Sequence, residues 1–267
     1  MSHESAILVI VIGDPERGSI PALEDGWLTK QEICVIPAVQ LRRRTDEWNS
    51  GVDEKIFFAR HGRPPLEGEM GCAAAHINAY QQFLMSSCQW VLVLESDVRI
   101  KNQEELSTAV KAIQAGFAPV GQIFSLYSEG PLSKRSSRTI GDVNIWQLTT
   151  PPHGAVAYVL DRVAAERLIT EQKSICNVAD WPLTTRDADF YFVELSGVGH
   201  PTDEMQSTVA PGIERSTMVP LRVRLSMWLG LWFARHWNLF DGPSDYYYRV
   251  LQPRVYRILQ RFGVLTR

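Results

Sequence analysis

No part of the chain has the ~20 consecutive apolar residues needed to cross a bilayer as a helix; the apolar run between Arg224 and Arg235 is too short. Cysteine is sparse. Cys34, Cys72, Cys88 and Cys176 form no CxxC pair and no dense framework, which excludes a disulfide-stapled scaffold and fits reduced thiols. The first residues lack a basic n-region, and the apolar run Ala6 to Ile12 is too short for a signal core, so the expected location is the cytoplasm. An overall basic excess is also missing: the net charge of −3 and pI near 6.1 give no reason to expect nucleic acid as partner. The segment after the first apolar run, Gly13-Asp14-Pro15-Glu16, makes a poor glycine-rich phosphate loop, which argues against nucleotidyl transfer. Internal repeats and low-complexity tracts are absent as well.

What is present is an ordinary folded composition, 45% apolar and 21% charged over 267 residues, enough for a sizeable core. The charge is unevenly spread. From Ser216 onward there are eight arginines and two aspartates, a net +6, so residues 1–215 carry −9. Within that tail Leu221 to Phe240 lacks acidic residues and interleaves Trp228, Trp232 and Trp237 with arginine. Such a segment suits an anionic membrane interface, with indole at headgroup depth and guanidinium on phosphate; a helical lid or subunit contact is the other reading. The expected division is a body over 1–215 and a basic, Trp-rich helical tail over 216–267.

Short apolar runs recur at Ala6 to Ile12, Ile33 to Ile36, Trp90 to Leu94, Gln122 to Tyr127, Val143 to Leu148, Ala155 to Leu160 and Asp189 to Glu194. Each reads as a strand buried on both faces. Helices are expected over Glu69 to Ser86, Glu104 to Ala115 and Arg162 to Gln172, the last behind an Asp161 cap. Strands alternating with helices imply an α/β fold, a mostly parallel sheet covered on both faces. Two polar stretches read as loops: Arg42 to Pro65, and Ser133 to Thr139 as a mobile one.

The most informative stretch is Trp90 to Val98, an apolar strand that ends in Glu95 and Asp97. Ligands of open α/β sheets bind beyond the carboxyl ends of strands, where paired carboxylates can hold a hard divalent cation; a solvated turn is the plainer alternative. On the preceding helix Glu69, Cys72 and His76 stand at i, i+3 and i+7, along one face. His76 fits either a catalytic or ligand role or a hydrogen-bonded histidine under the sheet, and Cys72 and His76 alone are too few for a metal site.

Leu66-Glu67-Gly68-Glu69-Met70-Gly71-Cys72-Ala73-Ala74-Ala75-His76, followed after the helix by Val91-Leu92-Val93-Leu94-Glu95-Ser96-Asp97-Val98, resembles the paired blocks of glycosyltransferase family 25. His153 to Leu160, continuing to Ala165 and Leu168, is similar to that family's Gly-x-x-Ala-Tyr strand and the helix behind it, and Asn177 to Leu183 to its Val-Asp-x-x-Leu element. The resemblance spans roughly residues 5 to 210 and departs from the family at two positions. Ser96 stands where the family has an aspartate, and Ala75 where it has a serine.

The resemblance implies a GT-A-like nucleotide-diphospho-sugar transferase fold. The implied activity is metal-dependent, inverting transfer of a hexose, galactose in the first instance, from a UDP-sugar to a lipopolysaccharide or lipooligosaccharide core. Mn2+ or Mg2+ is the implied cation, with Asp97, Glu95 and His200 as its candidate ligands. Arg17, Glu95, Ser96 and Asp97 are the candidate donor-binding residues. Asp180 is the candidate base, because a carboxylate near the acceptor hydroxyl is what general-base chemistry needs; Glu69 and His76 complete the candidate catalytic set. Asp180 read on its own could equally be a surface or capping aspartate, and His200 a loop histidine. An acceptor in the inner leaflet would place the enzyme peripherally at the cytoplasmic face of the membrane. The rival class is a membrane-associated scaffold or binding protein that keeps the transferase fold without turnover, motivated by Ser96 and Ala75.

Overall fold

The computed structural model of the chain describes residues 7–13, 26–61, 64–128, 132–179, 181–182 and 188–200. The expected tail over 216–267 and its boundary with the body therefore lie outside the described residues, as do Arg17 and Asp180.

Ten strands and five α-helices follow one another among the described residues. In chain order they are β1 (Ile7–Ile12), β2 (Glu32–Ile36), α1 (Asp46–Gly51), α2 (Glu54–His61), α3 (Glu67–Met85), β3 (Trp90–Glu95), β4 (Arg99–Ile100) and α4 (Gln103–Gly116). Then come β5 (Gln122–Ser125), β6 (Lys134–Ile140), β7 (Val143–Leu148), β8 (Ala157–Asp161), α5 (Arg162–Glu171), β9 (Asp189–Val193) and β10 (Val198–Gly199). Eight strands form one sheet in the order β2-β1-β3-β8-β5-β9-β7-β6, and β4 and β10 make a separate two-stranded ribbon. Strands β1, β2, β3, β5, β6 and β9 run one way and β7 and β8 the other, so the sheet is mostly parallel in direction, as expected.

The period-2 geometry of a strand explains why both faces must be covered. Leu8, Ile10 and Ile12 of β1 point into one core, with Ala79, Tyr80 and Phe83 of α3 and Ala164, Ala165 and Leu168 of α5. Ile7 and Val9 point into the other, with Leu106, Val110 and Ile113 of α4. Every residue of β1 is buried, which is why its sequence is unbroken aliphatic and not alternating.

Polar anchors fix the helices that matter for the site. Arg162 donates to the carbonyl oxygens of Leu84 at 2.7 Å and Ser86 at 2.9 Å, satisfying the C-terminal end of α3 from the start of α5. Asp161, fully buried, caps α5 through Ala164 N at 2.8 Å and accepts from Gly121 N and Gln122 N at 2.8 and 2.7 Å. Three backbone donors compensate a carboxylate that burial would otherwise penalise by several kcal/mol. At Gly71 a Cβ would fall 2.1 Å from the carbonyl oxygen of Val39, so only glycine lets α3 lie this close to the chain leaving β2.

The structure corrects two expectations. Arg42 to Pro65 is not an irregular loop: it holds α1, capped by Thr45, and α2, where Asp53 Oδ1 accepts from Ile56 N at 2.9 Å. Buried Trp48 and Phe57 pack there with Met70 and Ala73 of α3. Ser133 to Thr139, expected as a mobile loop, is most of β6, an edge strand exposed along nearly its whole length. Lysine, arginine and serine on a sheet edge discourage pairing with other chains, so its polarity is compatible with strand structure.

Candidate active site

The carboxyl ends of β1 and β3 lie side by side, with Ile12 in register with Glu95. Ser96 N donates to Ile12 O at 2.8 Å, and Gly13 N to Ile36 O at 3.0 Å, which holds this edge closed. Gly13 faces Ser96 so closely that a Cβ there would meet Ser96 Cβ and Oγ at 2.2 Å. The Ser96 side chain is thereby placed at the end of β1, the strand that leads toward Arg17.

Beyond Ser96 the chain turns, and the ribbon of β4 and β10 brings in a residue from far along the sequence. Ile100 pairs with Val198 and Arg99 with Gly199, which sets His200 beside Asp97, with His200 Nε2 3.0 Å from Asp97 Oδ2. The loop before β10 is clamped by Glu105 of α4, whose carboxylate accepts from Ser196 N and Gly197 N, both at 2.9 Å. The other Asp97 oxygen, Oδ1, is buried without a hydrogen-bond partner among the described residues. A shielded carboxylate oxygen beside an imidazole is a donor set that fits a hard divalent cation.

Glu95 turns elsewhere. Its Oε1 accepts from His76 Nε2 at 3.0 Å and from the Cys72 thiol at 3.6 Å, both from α3. His76 is 1% exposed, and its Nδ1 lies 2.7 Å from the Tyr158 hydroxyl, which is 2.9 Å from that of Tyr80. Burial is the main cause that pushes both phenols well above the ordinary tyrosine range, and the nearby Cys72 and Glu95 add to it; for Tyr80 the hydrogen bond shared with Tyr158 partly offsets the rise. Both phenols therefore keep their protons at neutral pH. With a neutral ring donating from Nε2–H to the Glu95 carboxylate, Nδ1 accepts from Tyr158, and Tyr80 is then the donor to Tyr158. Glu95 is thus held at one oxygen by a buried chain behind it.

Of the residues singled out from sequence, the structure brings His76 together with Glu95, and Asp97 together with His200. Glu69 is engaged at the start of α3. Glu69, 4% exposed, sits one turn earlier on α3 than Cys72, and its Oε2 accepts from Leu66 N at 3.1 Å at the helix start. Among the described residues, the three metal-capable side chains that converge are Cys72, His76 and Glu95, whose ligand atoms lie within 4.8 Å of one another. Sequence reasoning misses Tyr80 and Tyr158 as partners of His76. A signal exists for Tyr80, which stands at i+4 from His76; Tyr158 is joined only by the sheet. The residues flanking Asp180 are buried, and the Trp181 ring meets Tyr158 edge-on at 4.9 Å.

No curated protein matches the sequence. Among solved structures the chain is similar to the crystal structure of a glycosyltransferase involved in the glycosylation of the major capsid of PBCV-1, at 14% identity and a TM-score of 0.32. That match covers 62% of this chain and 66% of the other, so the chain spans just under two thirds of that structure's length. The sequence profile of glycosyltransferase family 25 (LPS biosynthesis protein) matches residues 27–183, more than half of the chain and the stretch that holds α3, β3 and β8. On that match the chain belongs to glycosyltransferase family 25.

Proposed function

We propose that this chain transfers a hexose, galactose in the first instance, from a UDP-sugar to the core of lipopolysaccharide or lipooligosaccharide, with inversion. The observation that carries the reading is the family match over 27–183, which contains both carboxylates at the edge where β1 and β3 end. In this reading Asp97 and His200 hold Mn2+ or Mg2+, with Asp97 Oδ1 as the oxygen that a cation would satisfy. The cation, when bound, neutralises charge that develops on the departing diphosphate. Glu95, kept oriented by His76 and Cys72, presents its remaining oxygen to a hydroxyl of the donor sugar. Ser96 and Arg17 serve the nucleotide at the end of β1, where serine offers a hydrogen bond but no charge and arginine can grip phosphate or stack on the base. Asp180 takes the acceptor hydroxyl proton as the new glycosidic bond forms and the bond to the diphosphate breaks. Glu69 acts at a distance, fixing the start of the helix that carries His76.

Residues 1–215 form the transferase domain in this reading, and 216–267 form a tail that rests on an anionic, cytoplasmic membrane surface. Among the described residues no helix is long and apolar enough to cross a membrane. Incubation with a panel of nucleotide sugars and truncated lipooligosaccharides, followed by mass spectrometry of the lipid product, tests the activity. A hexose added from one UDP-sugar supports the reading. If no sugar is transferred or hydrolysed while the protein still binds acceptor vesicles, the chain is a scaffold with the transferase fold.

A further inference from the structure

The convergence of Cys72, His76 and Glu95 concerns a site that the proposed transfer does not use as a metal centre. The two separations to Glu95 match ligand spacing, Sγ to Oε1 at 3.6 Å and Nε2 to Oε1 at 3.0 Å, close to those between ligand atoms ~2.0–2.3 Å from a common Zn2+, and all three ligand atoms lie within 4.8 Å of one another. Two of the three come from one helix, where i and i+4 share a face, and the third ends the strand packed beneath it. A thiol, an imidazole and one carboxylate form a softer set than the carboxylate and imidazole at Asp97 and His200.

We propose that Cys72, His76 and Glu95 form a three-ligand site for a borderline-soft divalent cation of the Zn2+ class, separate from the hard-cation site at Asp97 and His200. Protons balance simply. The Cys72 thiol gives one proton to solvent on binding, Glu95 binds as carboxylate, and His76 binds through Nε2 as the imidazole that carries its proton on Nδ1. The Tyr158 hydroxyl then accepts from Nδ1–H at the same 2.7 Å contact, since a hydroxyl can donate or accept. That supplies the outer hydrogen bond that metal-bound histidines characteristically make. With three protein ligands the fourth position is open to water, and Glu95, 21% exposed, marks the side from which it enters.

Cobalt reports on this site without any assay of transfer, because only a bound thiolate gives Co2+ a sulfur-to-metal charge-transfer band. Titration of the full-length protein with Co2+ should develop that band to saturation at on the order of one equivalent, and Zn2+ should abolish it by displacement. Cys72→Ala and the near-isosteric Cys72→Ser should both lose the band, whereas Cys34→Ala, Cys176→Ala and Asp97→Asn should keep it. Zn2+ should also raise the melting temperature of the parent protein and not of Cys72→Ser, since the cation ties α3 to β3 only in the folded state. Absence of the band, or its survival in both Cys72 variants with circular dichroism unchanged, overturns the site whether or not the protein transfers sugar. Should Cys72→Ala fail to fold, Cys72→Ser alone decides.

Discussion

Two carboxylates stand two residues apart at the end of β3, yet they lie in opposite circumstances. Glu95 is the last strand residue, with a buried chain of one histidine and two tyrosines behind it and two donors on a single oxygen. Asp97 lies past the turn, more exposed, beside a histidine delivered by a two-residue strand, with one oxygen left without a donor among the described residues. Had the strand continued, residues i and i+2 would share a face and an environment. The turn at Ser96 breaks that period. One carboxylate is held by a buried chain, and the other keeps one oxygen without a donor among the described residues.

This contrast is broken most severely by Asp97→Ala. Removing the carboxylate that fits the cation should lower transfer at least a hundredfold, about 3 kcal/mol of transition-state stabilisation, while the fold is retained because the Asp97 side chain is 37% exposed and lies outside the apolar cores. Initial rates on protein checked by circular dichroism decide it. Near-normal turnover of a folded, metal-replete variant would remove Asp97 from the site.

Tyr158→Phe should show the opposite profile. It deletes one hydroxyl from a fully buried position and leaves both His76 Nδ1 and the Tyr80 hydroxyl short of a partner. Stability should fall by about 1–3 kcal/mol, the usual consequence of an unsatisfied buried polar group, read as a lower denaturant midpoint with unchanged slope. An unchanged midpoint would mean that the chain behind Glu95 is not built as described.

The same contrast shows which features of the fold and site are legible in the amino-acid order. Strands β1, β3 and β8 and helices α3, α4 and α5 are legible because their apolar periods are long and their burial is two-sided or cleanly one-sided. The pairing of His76 with Glu95 is half-legible: both stand out as residues, but the turn of Glu95 toward α3 depends on packing. Asp97 stands out as a cation ligand at the strand end and His200 as a candidate imidazole, but nothing in the order of residues pairs them, since 103 residues separate them and only the β4–β10 ribbon joins them. Helices α1 and α2 escape notice because six and eight residues give too few turns to show a period, although the Thr45 and Asp53 caps are visible. Edge strand β6 escapes it because its residues face solvent on both sides and so carry no alternation.

Between the two carboxylates, Ser96→Asp sharpens the comparison with a smaller effect. Its side chain lies against Gly13 at the end of β1, not among Asp97 and His200. A carboxylate there should strengthen UDP binding by about threefold through a charge-assisted hydrogen bond, with little change in Mn2+ affinity measured without nucleotide. Calorimetric titration separates the two. A large gain in Mn2+ affinity alone would place position 96 with the metal and not with the nucleotide.

The smallest effect at neutral pH, and the most specific to the Glu95 side, concerns alkaline stability. Tyr80 and Tyr158 are raised above the ordinary phenol chiefly by burial, so in the folded state they hold protons that the unfolded chain releases near pH ~10. Above that pH the unfolded state binds fewer protons than the folded one, and stability falls as pH rises; below it the contribution is fully present and flat. Denaturant unfolding of the parent protein should therefore weaken more steeply between pH ~9 and ~11 than that of Tyr158→Phe, which lacks one of the two groups. Absorbance of phenolate gives an independent measure on the eight tyrosines of the chain, of which Tyr80 and Tyr158 should ionise only as the protein unfolds. If all eight titrate before unfolding begins, the phenols are not sealed beneath Glu95.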